Sequence, residues 1–312
     1  MDIKLDIISI GESLIELSTN MRFSCADHLH KYYGGDCLAT AIAALRLGSK
    51  VGFVTKVGND PFKEYLLDCW QSEGLDISQV KLAGEANGLY MIARPSADEK
   101  EIIYYRKKVA SSKLSLEDIS ENYIKNSKVV YSSGITQSLS ASASEAVSFA
   151  FDLAQRNGVM TAYDPNYYRS ITTAESAKEN FENVIGSVDV LFLNTRNDAA
   201  QILELNSVET IVKNLWDRGV SIVVLKSSSD KKYYTGYNGN IVAADYFTKD
   251  VLDTTCSGDA FNGGFLHGIT NGMTPFEAAK LASVVAGLQA AKIGAIKSIP
   301  YKDDVYSVLK GI

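Results

Sequence analysis

Short apolar runs alternate with amphipathic helical patterns along this chain, and that alternation limits the fold more than any other feature. Strands separated by helices must join as parallel crossovers, which gives a sheet covered on both faces. Ile3–Ile10 reads as a strand ending at Gly11, and Val51–Val57 as the next. Between them, Cys37–Leu47 places Leu38, Ala41, Ile42 and Leu45 on one stripe, with Gly48 as a natural stop. Asp60-Pro61 opens another helix with proline at its first position, and Phe62, Tyr65, Leu66 and Cys69 form its apolar face before Gly74. The rhythm returns in Val129–Tyr131, Val159–Tyr163, Val188–Leu193 and Ile222–Leu225, with helical patterns ending at Gly158, Gly186 and Gly219. The expected fold is one α/β unit spanning 1–312, a three-layer α/β/α sandwich with a mainly parallel sheet.

One region breaks the alternation. Leu89–Arg94 and Glu101–Lys107 are β-rich and are separated by Pro95-Ser96-Ala97-Asp98, a hairpin signal with no helix between its arms. With the segment Ser13–Tyr33 they are expected to form a small β-sheet lid, built from excursions of the chain over about 13–33 and 87–108.

Composition narrows the class of partner. Lys plus Arg total 31 against 37 Asp plus Glu, a net charge of −6, which disfavours a nucleic-acid-binding face. Cys25, Cys37, Cys69 and Cys256 form no C-x-x-C pair, so neither a disulfide framework nor a zinc site is suggested. The acidic start Met1-Asp2-Ile3-Lys4-Leu5-Asp6 lacks the pattern of a signal peptide, and no apolar stretch is long enough for a membrane span. A cytoplasmic protein is expected, with no membrane or nucleic-acid partner. His28, His30 and His267 share no metal-ligand spacing.

The segment Asp253-Thr254-Thr255-Cys256-Ser257-Gly258-Asp259-Ala260-Phe261 carries the chemistry. Small residues lead into a helical pattern, and a helix starting near Ser257 presents unpaired N–H groups and a positive dipole end to an anion. Asp259, in the first turn, is placed to take a proton from a hydroxyl attacking a phosphate held there. Helix capping by Ser257 and Asp259 is the plain structural alternative. The whole segment resembles the C-terminal signature D-T-x-G-A-G-D-x-F of the ribokinase-like (phosphofructokinase-B type) carbohydrate kinases, and the resemblance extends over essentially the whole chain. It implies Asp259 as catalytic base and the amides of Cys256, Ser257 and Gly258 as an anion hole, with Cys256 and Ser257 standing where the family has Gly and Ala. The hole needs Cys256 to keep a negative φ. Cys256 is also a site where oxidation would act, although an inert small residue is the simpler reading.

Other segments resemble the subgroup acting on 2-keto-3-deoxygluconate. Gly34-Gly35-Asp36 is similar to its N-terminal glycine pair followed by Asp, while Ala39 replaces the usual Asn. Tyr90 on the first lid strand, and Tyr104 with Arg106 on the second, match its sugar-facing Tyr and Tyr-x-Arg. Asp164-Pro165-Asn166 at a strand end matches its sheet-edge motif, and Arg169 then corresponds to the arginine on the acid end of the substrate. On the nucleotide side the resemblance implies Asn194, Lys226, Ser228 and Gly258 as ATP-binding residues. Asn197 stands in place of a Glu, so no protein ligand to Mg²⁺ is assigned. Ala282–Ala286 resembles the wall against which adenine stacks, although an apolar helix is core by default. The resemblance therefore implies an ATP- and Mg²⁺-dependent kinase of 2-keto-3-deoxygluconate that self-associates through its lid. A fructokinase, ribokinase or nucleoside kinase of the same fold, and a non-catalytic sugar-sensing relative, are the alternatives.

Overall fold

The computed structural model describes residues 5–96, 99–247 and 250–311. Ile3 and Lys4 of the expected first strand, and Ala97 and Asp98 of the expected lid turn, lie outside the described residues. Strands and α-helices of eight or more residues are numbered in chain order.

The main sheet has the order β13-β12-β11-β10-β9-β8-β1-β4-β5. Its parallel strands are β1 (Leu5–Ile10), β4 (Val51–Gly58), β5 (Val80–Ala83), β8 (Ser127–Ser133), β9 (Met160–Asp164), β10 (Val190–Asn194) and β11 (Ile222–Ser227). Alternate residues face opposite layers, and both layers are apolar, which is why these strands read as continuous apolar runs. Ile7, Tyr131, Phe192 and Val224 face α1 (Asp36–Arg46), α2 (Lys63–Glu73), α6 (Ser257–Thr270), α7 (Pro275–Ala290) and α8 (Lys302–Leu309). Ile8, Val130, Leu191 and Val223 face α3 (Ala141–Arg156), α4 (Ala174–Val184) and α5 (Val208–Asp217). All the parallel strands end at one edge, where ligands bind in open α/β sheets.

Two expectations shift. The helix after β4 begins at Lys63 rather than at Pro61, because the Asp60 carboxylate accepts the Phe62 N–H at 2.9 Å and the Asn87 N–H at 2.7 Å, making a turn that anchors the approach to the lid. The sheet also ends in an unexpected antiparallel hairpin, β12 (Lys232–Tyr237) and β13 (Asn240–Asp245), joined through Asn238 and Gly239 at φ 48° and 75°.

The lid is a separate sheet with the order β3-β2-β6-β7, formed by β2 (Leu14–Thr19), β3 (His30–Gly34), β6 (Gly88–Ala93) and β7 (Glu101–Tyr105). Close helix packing sets the floor beneath it. A Cβ on Gly263 of α6 would stand 2.3 Å from the Thr40 carbonyl of α1, so only glycine lets these helices approach. The N-terminal ends of α1 and α6 therefore meet under the lid, carrying Asp36 and Asp259.

Candidate active site

The turn before α6 is fastened from several sides. The Asp253 carboxylate accepts the Thr255 N–H at 3.0 Å, the Thr255 hydroxyl at 2.5 Å and the Gly294 N–H at 3.2 Å, and the Arg94 guanidinium lies beside it. Burial alone would raise its pKa, but these hydrogen bonds and Arg94 hold it below the usual carboxylate range. From α7, buried Gln289 donates to the carbonyls of Thr255 at 2.7 Å and Gly294 at 3.0 Å. So held, Cys256 takes the left-handed conformation at φ 64°, correcting the expectation of a negative φ. That conformation turns the chain into the helix; it is the one glycine adopts freely, which accounts for Gly in the family signature.

Of the expected anion-hole amides, that of Ser257 is engaged by the Thr254 carbonyl at 3.1 Å. Gly258 and Asp259, in the first helical turn, have N–H groups with no acceptor among the described residues. Lys226 adds positive charge beneath them, its Nζ 3.5 Å from where a Cβ on Gly258 would stand. Nζ itself donates to Asp164 at 2.7 Å and to Asn262 at 3.0 Å, which fixes the ammonium in place.

Asp259 does not cap the helix, since its carboxylate accepts no backbone N–H among the described residues. It faces Asn166, whose side-chain amide lies 3.4 Å from Asp259 and 3.3 Å from Asp36. Burial, and after it the charge of Asp36, raise the Asp259 carboxyl well above its usual range, with Lys226 pulling against them. A carboxylate so raised is a stronger proton acceptor. The Cys256 thiol is pushed up by burial and by Asp259, so it stays protonated and unreactive.

Two cavities meet at Asp259. The first, of about 140 Å³, lies under the lid and is lined by Glu12, Gly35, Asp36, Tyr90, Tyr104, Arg106, Asn166, Tyr168 and Asp259, with apolar Leu14, Ile92, Ile102 and Ile135. Gly34 stands behind it, its Cα packed against the Tyr90 ring, and Gly35, at φ 130°, lets the chain pass the Glu12 carbonyl. Arg106 pairs with Glu12, and Tyr90 stacks on Tyr104 with ring centres 5.9 Å apart. The second cavity, of about 340 Å³, is lined by Asn194, Asn197, Lys226, Ser228, Tyr233, Tyr246, Ser257 and Gly258. Asn166, Tyr168, Cys256 and Asp259 line both.

Not every expected residue converges. Arg169 lines neither cavity; it is exposed and donates to Gln201 at 3.1 Å, while its neighbour Tyr168, itself half exposed, lines both. Arg106 and Arg169, each matched to a substrate-facing arginine of the family, therefore do not converge on one cavity here. Ala282–Ala286 is buried in α7, with Ala282 and Val285 against Gly264 of α6, as core packing of an apolar helix requires, and it lines neither of these two cavities. Asn194 lines the second cavity but also caps the following turn, accepting the N–H groups of Arg196 and Asn197. Asp198 is raised by burial and by Asp164, and its oxygens accept the N–H groups of Tyr167 and Asn194. Glu12 and Tyr168 escaped the sequence reading; the only sign of Glu12 was an acidic residue directly after the first strand.

The chain is 28% identical over 98% of its length to a 5-dehydro-2-deoxygluconokinase of Clostridium perfringens, covering 93% of that protein. It is likewise 28% identical to a 2-dehydro-3-deoxygluconokinase of Thermoproteus tenax, covering 99% of this chain and 95% of that one. Among solved structures, a fructokinase with bound ATP from Xylella fastidiosa has the same fold, with a TM-score of 0.86, 19% identity and 98% of each chain covered. The family model for pfkB family carbohydrate kinases matches residues 4–302, from the first strand of the sheet into its last helix, and on that match the chain belongs to this family of carbohydrate kinases.

Proposed function

We propose that the chain phosphorylates 2-dehydro-3-deoxygluconate (2-keto-3-deoxygluconate) at its terminal hydroxyl, using ATP with Mg²⁺ and giving the 6-phosphate and ADP. The observation that carries this reading is the position of Asp259 in the wall common to both cavities, next to amides with no acceptor among the described residues. Sugar in the cavity under the lid and nucleotide in the other would meet there. Asp259 takes the hydroxyl proton as the oxygen attacks the γ-phosphorus. The Gly258 and Asp259 amides and Lys226 stabilise the charge on the transferring group.

Mg²⁺ would neutralise charge on the nucleotide phosphates. Asp164 and Asp198 already accept hydrogen bonds on both of their oxygens, and no cluster of three or more acidic, His or Cys side chains among the described residues is arranged to hold a metal. Asn197 and Ser228, whose side chains carry neutral oxygens, also line the cavity, a residue set that fits an ion carried largely by phosphate and water.

The sugar-acid assignment is supported by Arg106 beside Tyr90 and Tyr104, and by relatives named for keto-deoxygluconates. A neutral hexose, as in a fructokinase, is the second reading, favoured by the outward turn of Arg169. A coupled ADP-release assay over 2-dehydro-3-deoxygluconate, 5-dehydro-2-deoxygluconate, fructose and ribose separates them: the acid with the highest kcat/KM supports the first reading, and fructose or ribose with the highest overturns it. Asp259→Asn keeps size but loses basicity, so kcat should fall about 100- to 10,000-fold while ATP still binds. A variant with half the original kcat would remove Asp259 from the mechanism. The reading includes a second copy of the chain as partner, joined through the lid. Among the described residues no helix is long and apolar enough to cross a membrane.

A further inference from the structure

We propose that Glu12 sets the charge preference of the cavity under the lid by competing with a substrate carboxylate for Arg106. The proposal rests on the sugar-acid reading above. Arg106 is the one cationic side chain in that cavity wall among the described residues, and it is already paired with Glu12 Oε1. Three acidic groups, Glu12, Asp36 and Asp259, share the same wall. A sugar acid would bring a fourth negative charge to a single guanidinium that is in use. Two buried oxygens, Glu12 Oε2 and Asp36 Oδ1, have no hydrogen-bond partner among the described residues, so the wall as it stands offers acceptors for sugar hydroxyls. Its one cationic donor, Arg106, is held through Nη2 by Glu12, so a carboxylate must displace that contact to take the guanidinium face-on; the other donors here, such as the hydroxyls of Tyr104 and Tyr168, are neutral.

The groups facing Glu12 decide how the conflict resolves. Arg106 and Tyr104 come from the lid, Asp36 from α1 and Asp259 from α6. Burial raises the Glu12 carboxyl; Arg106 opposes this and Asp36 adds to it, leaving it at about 7. Near neutrality Glu12 therefore takes up a proton from solvent at modest cost. Protonated, it releases Arg106 to a bidentate contact with the incoming carboxylate and becomes a donor to a sugar oxygen. A neutral sugar needs no such proton. The sign follows directly: below the Glu12 pKa the guanidinium is available and the acid binds well; above it, each unit of pH weakens acid binding tenfold.

The test compares 2-dehydro-3-deoxygluconate with fructose between pH 6 and 8, using the ratio of their kcat/KM values so that titration of Asp259 or of the nucleotide cancels. In the wild-type kinase the ratio should fall about tenfold across this range, following one-proton linkage. In Glu12→Gln it should stay flat and exceed the wild-type ratio at pH 8. Calorimetry of acid binding to the wild-type protein in two buffers of different ionisation heat should show proton uptake, which keeps the proposal testable if Glu12→Gln fails to fold. A flat wild-type ratio, or the same slope in Glu12→Gln, overturns the role of Glu12 and leaves the sugar-acid reading standing. No phosphorylation of the acid at any pH by either protein overturns both.

Discussion

Cys256 shows at the residue scale how a short side chain is accommodated where the turn demands a left-handed backbone. Its φ of 64° carries a local penalty that Gly would not, offset by the greater freedom of Gly in the unfolded chain. Cys256→Gly should therefore change stability by less than about 1 kcal/mol. Cys256→Val should cost about 1–3 kcal/mol, since a β-branched residue fits the left-handed region poorly. Urea midpoints at neutral pH check both, and a Val variant as stable as wild type would show that the turn does not need this conformation. Side-chain direction is also where the sequence was least legible. Tyr168 and Arg169 are neighbours on an irregular segment with no period, so nothing in their order shows that the tyrosine lines the cavities and the arginine does not. The residues on regular elements behaved differently: Asp36, Tyr90, Tyr104 and Asp259, singled out by the family resemblance, sit on helix starts and strands, and all four line the cavity.

Among the elements, β7 is the most exposed strand of the lid. Ile102 and Tyr104 line the cavity, while Ile103 and Tyr105 on its other face are 41% and 58% exposed. Its outer edge pairs with no strand among the described residues, an arrangement that favours pairing with a second chain. The protein should exceed its monomer mass of 33.9 kDa at micromolar concentration, and Ile103→Lys should shift it towards the monomer in light scattering. A wild-type protein that is already monomeric would dispose of lid-mediated association. The lid strands were legible because a hairpin signal interrupts a strand–helix rhythm. The β12–β13 hairpin was not, because Lys232–Asp245 mixes tyrosine, glycine and polar residues without a clean alternation, leaving Asn238-Gly239 as its only mark.

For the molecule as a whole, the parallel strands were readable because layers on both faces demand continuous apolar runs, whereas the edges of the sheet obey weaker rules. The same layering buries His267 of α6, whose ring nitrogens meet the Ser49 hydroxyl at 2.7 Å and the Tyr306 hydroxyl at 3.3 Å. Burial, with the nearby Lys302, lowers its pKa to about 4. The unfolded value is near 6.5, so the unfolded chain binds the extra proton first. The His267 contribution is therefore complete above about pH 6.5 and is lost as pH falls towards 4, by up to about 3 kcal/mol. Glu12 acts in the opposite sense, since its raised pKa favours the fold below about 4.5 and loses that contribution as pH rises through about 7. The difference between wild type and His267→Gln isolates the histidine. Urea unfolding at pH 7 and pH 4.5 should show a smaller acid loss in the variant, and equal losses would contradict the assignment.

The strand order has a consequence for synthesis. From β8 outwards to β13 the sheet grows in the order in which the chain leaves the ribosome, each strand docking beside the one made before it. The lid strands and α1 are already present by then. Helix α6 arrives after every strand, and with it Asp259 and the amides before it. A nascent chain stopped short of Ser257 thus holds every strand of both sheets among the described residues but lacks Asp259, the proposed base, so on that proposal catalytic competence comes only after both sheets are complete.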